Sequence, residues 1–177
     1  GMSLLHSVPV AARSKTFHAL FIEVVYTEGE PDTYFMPVSL ETASDESDSP
    51  AGAICRLRIG SGSNAASGFL CDALEGPEFP SAMLTAIGAR RGYAAQSGVQ
   101  LAASPTSSFR RLRQGVDASA TPRRFPVEQS NTSVLIDNKL IFKFYRRISP
   151  GVNPDYEIGK FLAEETRFAN VSPVAGT

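Results

Sequence analysis

The first apolar stretch, residues from about Phe17 to Tyr26 (FHALFIEVVY), is rich in β-branched and aromatic side chains, which favours a strand. The polar TEGEPD segment turns the chain, and Tyr34 to Thr42 reads as the hairpin partner. The acidic, small-residue stretch TASDESDSPAG then reads as a surface loop. Ala53 to Gly60 alternates again, with Cys55, Leu57 and Ile59 expected to face in and Arg56 and Arg58 out. A Gly/Ser/Asn tip joins it to Gly68 to Leu74. Glu78-Phe79-Pro80-Ser81 opens a helix with Leu84, Ile87 and Met83 on its inner side, ended by Gly88 or Gly92.

Periodicity weakens from Gly92 to Arg124. Val99 to Ala103 suits a strand and Phe109 to Gln114 a helical turn with exposed arginines. Val127 to Gln129 and Val134 to Asp137 flank a polar tip, and Asp137-Asn138 turns the chain into a strand from Lys139 to Arg147. On that strand Leu140, Phe142 and Phe144 point one way, and Ile141, Lys143 and Tyr145 the other. After Pro150 and Gly151, Asn153 is a good N-cap and Pro154 fits the first helical position. Asp155 and Glu157 suit the positive helix end. Ile158, Phe161 and Leu162 form the apolar stripe, with Glu157 on its flank. The fold class expected is α+β, two consecutive antiparallel-sheet-plus-helix units, spanning residues 1–92 and 93–177.

The chain has 177 residues, 42% of them apolar, enough for one domain or two small ones. No run approaches the ~20 apolar residues of a membrane span, and no secretory pattern opens the chain. Gly1 before Met2 reads as a processing scar. The two cysteines lack metal spacing, and both are expected as buried free thiols of a cytoplasmic protein. The net charge of −1 conceals an asymmetry: residues 1–90 carry a net −6 and residues 91–177 a net +5. A basic second half suits a polyanion such as a nucleotide, or is solvated surface. A basic stripe interleaved with aromatics is absent, which argues against nucleic acid.

Strand, polar hairpin, strand with a lysine and helix opening with a glutamate is the order of parts by which kinase-like N-lobes hold a nucleotide. A lysine in an apolar strand ordinarily snorkels at an edge; set between the polar hairpin and the acidic helix start, Lys143 is expected instead as a point charge on phosphate. Glu157 is either its orienting partner or a helix-end carboxylate paired with Lys160. By themselves Gln129, Ser130, Asn131, Thr132 and Ser133 read as a polar turn, one that offers hydroxyl, amide and backbone N–H donors. Arg146 and Arg147 are expected as surface charge at the strand end. His6 and His18 lack catalytic or metal-binding neighbours, and the motifs of zinc proteases and serine hydrolases are absent.

The run EQSNTSVLIDNKLIFKFYRRISPGVNPDYEIGKFLAEE also resembles the nucleotide-binding segment of bacterial maltokinases, kinases that make maltose 1-phosphate from ATP and are often fused to trehalose synthase. The resemblance rests on QSNTS, the lysine before Arg-Arg, and NPDxEIGxFL in that order. It is looser over Phe17 to Gly92, where YFMPVSL and DALEGPEF resemble the family's cap. It implies a cystatin-like cap followed by a partial kinase-like N-lobe, with ATP and magnesium bound by the full-length protein and neither held tightly here. The partners implied are a C-terminal kinase lobe, the nucleotide and trehalose synthase, with no nucleic acid and no membrane. The 34 residues after Lys143 hold no His-x-Asp loop and no Asp-Phe-Gly-like turn, so this chain alone is expected not to catalyse. An interaction module that tethers a kinase to trehalose synthase, or a truncated structural product, are the alternatives.

Overall fold

The computed structural model describes residues 1–177 except 13–14, 43–48, 61–65, 118, 126–130, 167 and 169, and the side chains of Ile59 and Ala66. The fold is α+β with antiparallel sheets. The first hairpin forms as its pattern predicts: β2 (Thr16–Val24) pairs with β3 (Asp32–Thr42), Leu20 opposite Met36. β4 (Ala53–Ile59) pairs with β5 (Ala66–Asp72), and β5 lies against β3. A further strand, β1 (Met2–Ala11), was not read from the pattern, and it covers the free side of β2. Pro9 argues against a strand, yet β1 is an edge strand, where the missing N–H faces no neighbour.

Cys55 corrects an expectation. It is exposed, while Cys71 is buried as expected. The register of β4 against β5 shifts between Ala53 and Cys55, and such a bulge moves every later side chain to the other face.

Helix α1 (Glu78–Ala89) buries Phe79, Pro80, Met83, Ala86 and Ile87. Gly88 does not end it. The helix runs on to a left-handed cap at Arg90 (φ 52°), and Gly88 lies under the Phe109 ring, where a Cβ would sit 3.0 Å from it. A small hairpin follows, β6 (Gly92–Ala94) with β7 (Gln100–Ala102), and then the short helix α2 (Phe109–Gln114).

The second sheet is β8 (Arg123–Arg124), β9 (Asn131–Ile136) and β10 (Leu140–Tyr145), in the order β10-β9-β8. Asp137 and Asn138 both take positive φ (52° and 50°), as a two-residue hairpin requires. The expected strand Val127 to Gln129 falls outside the described residues. Asn131, Thr132 and Ser133 were expected at a tip and instead lie inside β9, because the alternation of Val134 and Ile136 extends back to a buried Thr132.

The expected strand to Arg147 breaks at Arg146. Its last part, β11 (Arg147–Ile148), leaves the second sheet and pairs with Thr33 and Tyr34 of β3 in the first. The residues expected in two units therefore share one core. Phe79 of α1 lies edge-on to Phe17 (5.5 Å between ring centroids) and 5.9 Å from Phe144 of β10, with Val8, Val10, Leu74 and Val134 around them. Truncating such a side chain costs roughly 3–5 kcal/mol.

Helix α3 (Pro154–Glu164) starts as its sequence predicts, Asn153 Oδ1 accepting from the N–H of Asp155 (2.9 Å) and of Tyr156 (3.4 Å). Its stripe is not packed inward, for Ile158 and Phe161 are more than half exposed. The helix is held at Gly159, against Val174, and at Glu164, which accepts from Ser107 N–H and Oγ. The tail returns to pair around Pro105 and Gly176, where a Cβ on Gly176 would meet Ile87 at 2.5 Å.

Arg146 is not surface charge. Its Nη2 lies 2.5 Å from Asp72 Oδ2 and its Nε donates to Thr132 Oγ1 at 2.9 Å, with about a fifth of each charged side chain exposed. Arg146→Ala takes the cation from the Asp72 carboxylate, which keeps the Leu74 N–H at 3.0 Å, and a loss of about 2–4 kcal/mol is expected in urea denaturation. Arg147 is 63% exposed in its pair with Asp32, and Arg147→Ala should cost less than about 1 kcal/mol.

Candidate functional site

The register of β9 and β10 sets the candidate site. Lys143 lies opposite Ser133, Phe144 opposite Thr132 and Tyr145 opposite Asn131. Pairing partners share a face, so Lys143, Ser133, Tyr145 and Asn131 lie on one side, and Phe144 and Thr132 on the other, toward the core. Thr132 is 3% exposed and its hydroxyl is taken by Arg146. It is a structural residue, not a phosphate donor. Gln129 and Ser130 fall outside the described residues.

The ammonium of Lys143 is half exposed and meets the N-terminal turn of α3. Its partner there is Asp155, at 3.4 Å, rather than Glu157. Helix geometry gives the reason. Two residues along a helix is a rotation of about 200°, so an Asp155 that faces β10 leaves Glu157 on the far side. Glu157 is exposed and makes no side-chain ion pair among the described residues. Lys160, its alternative partner, lies over the Tyr156 ring at 5.9 Å.

Asp155 also accepts from Tyr145 Oη at 2.9 Å, a contact that sequence reading missed. The only available signal was parity, since Tyr145 and Lys143 lie two apart on one strand. The Tyr145 hydrogen bond, and then the Lys143 ammonium, hold the Asp155 carboxyl below its ordinary range. Burial, with the Asp155 hydrogen bond and charge, pushes the Tyr145 phenol up to about 12. The cluster thus holds a carboxylate, an ammonium and a neutral phenol across the physiological range. It can bind an anion through Lys143, but neither Asp155 nor Tyr145 is poised to exchange protons near neutrality.

A cleft lies elsewhere, over the inner face of the first sheet. It holds about 400 Å³ and is lined by Lys15, Phe17, Ser39, Glu41, Cys71 and Asp72, among others. Lys15 pairs with Glu41 at 2.6 Å, and Ser39 Oγ donates to the same carboxylate at 2.7 Å. Burial pushes Glu41 up, but these two partners outweigh it and leave the group below its ordinary value. Burial raises the Cys71 thiol, which keeps it protonated and unreactive. Glu41, Asp72 and Glu75 in the cleft lining are each paired with a cation, Lys15, Arg146 and Arg124 in turn. No cluster of three or more metal-ligating side chains occurs among the described residues.

No protein-family model matches the chain. No helix among the described residues is long and apolar enough to cross a membrane.

The Asp155 cluster makes a measurable prediction. In a carbon-detected carboxyl titration, wild-type Asp155 should titrate below an ordinary aspartate. Tyr145→Phe and Lys143→Ala should each move it back up. The sign follows from linkage: a depressed folded pKa stabilises above the unfolded value, and that contribution is lost as pH falls through the folded one.

Proposed function

We propose that this chain is the N-terminal, nucleotide-phosphate-binding portion of an ATP-dependent sugar kinase of the maltokinase type, acting in the cytoplasm. The observation that carries the reading is the meeting of Lys143 with the acidic first turn of α3, beside a strand that presents Asn131 and Ser133 on the same face. Lys143 would act as a point charge on the phosphates, with Asp155 holding the ammonium near its working position. The hydroxyl of Ser133 and the amide of Asn131 would add neutral donors.

The side chains present suit the phosphate end of a nucleotide. Magnesium, which neutralises phosphate charge when bound, would take its ligands from a C-terminal lobe, as would the acceptor proton. The exposed stripe of Ile158 and Phe161 on α3 supports this reading, because such a lobe would cover it. In this reading Asp155 takes the role first expected of Glu157.

The test is titration of the ¹⁵N-labelled chain with magnesium-ATP. Weak binding is expected, in the millimolar range or about −4 kcal/mol, with shifts at Ser133, Lys143 and Asp155. Lys143→Ala should weaken it about tenfold, the loss of one charge-assisted contact. Shifts confined to other residues, or affinity unchanged in Lys143→Ala, would sink the assignment.

A further inference from the structure

The two faces of the first sheet differ. Val8, Ala19 and Pro37 share one face, packed with Phe17 against α1, the β6–β7 hairpin and the second sheet. The opposite face carries Leu4, Leu20, Ile22, Met36, Leu40 and Leu70. Leu4 is 59% and Leu40 46% exposed, the other four are partly exposed, and Val38 between them is buried by its neighbours. Six aliphatic side chains on one face of four adjacent strands, two exposed and four partly exposed, are more than the scattered surface leucines of an ordinary monomer.

Charge is scarce on this face. His18 lies within it, hydrogen-bonded to Ser7 at 3.2 Å. Asp32 and Arg147 neutralise each other at one end, beside Tyr26 and Tyr34, and Asp72 is turned to Arg146. A charged partner, a phosphate-bearing lipid or a nucleic acid would meet no complementary rim here. An identical aliphatic face would be matched, with neither copy presenting a charge to the other, and depletion of charge is the mark of an interface centre.

Size agrees. Five strands at ~4.8 Å spacing and about nine residues at ~3.3 Å each give a footprint of ~700 Å², near the ~800 Å² per partner of a standard interface. The edges disfavour the rival mode of strand addition, because β1 carries Pro9 and both β1 and β4 carry register shifts. We infer that this face is the contact surface of a homodimer, two copies packed sheet on sheet about a two-fold axis. The inference is independent of the kinase reading, since neither Lys143 nor α3 takes part.

Sedimentation velocity of the intact chain tests it, over about 1–200 µM, where weak and moderate interfaces populate both states. Reductant keeps the exposed Cys55, on the same face, from cross-linking copies. A concentration-dependent dimer is expected. Leu40→Glu should weaken it at least about a hundredfold with its melting temperature retained, and Met36→Lys gives an independent second reading. A monomer at every concentration would overturn the proposal and leave the face to another occupant. So would a dimer that both variants leave intact, or one abolished instead by Ile158→Glu on α3.

Discussion

The guanidinium of Arg146 is the interaction on which the rest of the structure depends. β3 has eleven residues, and β5 pairs with it only from Val38 to Thr42. The vacant edge near Thr33 and Tyr34 is filled by β11, which arrives from the second sheet. Arg146 stands at the crossing. Its carbonyl accepts from Phe35 N–H at 2.7 Å, while its side chain joins Asp72 at the end of β5 to Thr132 of β9. An arginine suits this position because one planar group can satisfy two acceptors in different directions. Once it is seated, the orientation of β10 and the start of α3 follow, and with them the place of Lys143.

What local signals encode was legible. The hairpin of β2 and β3, the Asp137-Asn138 turn and the Asn153 cap each depend on residues close in sequence, and each formed as read; α1 formed too, though its end lies at Arg90 and Leu84 is not among its buried residues. The losses share a cause, which is dependence on a distant partner. β1 carries a proline and a Leu-Leu step that spoil its alternation, and only its edge position makes them harmless. Cys55 changed face because of a bulge in its pairing with β5, which composition does not reveal. Thr132 looked like a loop hydroxyl until the parity of Val134 was carried backward across it.

The site was legible in its parts and misread in its pairing. Lys143 and the acidic helix start do meet, but the phase of α3 decides which carboxylate is presented. That phase is set by Asn153, by the loop from β11, and by the contact of Gly159 with Val174. A motif fixes residue types and spacing. It does not fix the angle at which a helix is docked.

The charge asymmetry acquires a different meaning from the one its sequence first suggests. Arg124 pairs with Glu75, Arg146 with Asp72 and Arg147 with Asp32, and every one of these joins a basic residue of the second half to an acidic residue of the first. Much of the positive excess after residue 90 is therefore matched within the chain, as glue between segments that share a core. Lys143 does not belong to this set. Its counter-ion is local, half exposed and at the long end of contact, so solvent already competes for the ammonium and an incoming phosphate would displace little. The case for anion binding thus rests on the geometry of one lysine rather than on the net charge of the half-chain that carries it.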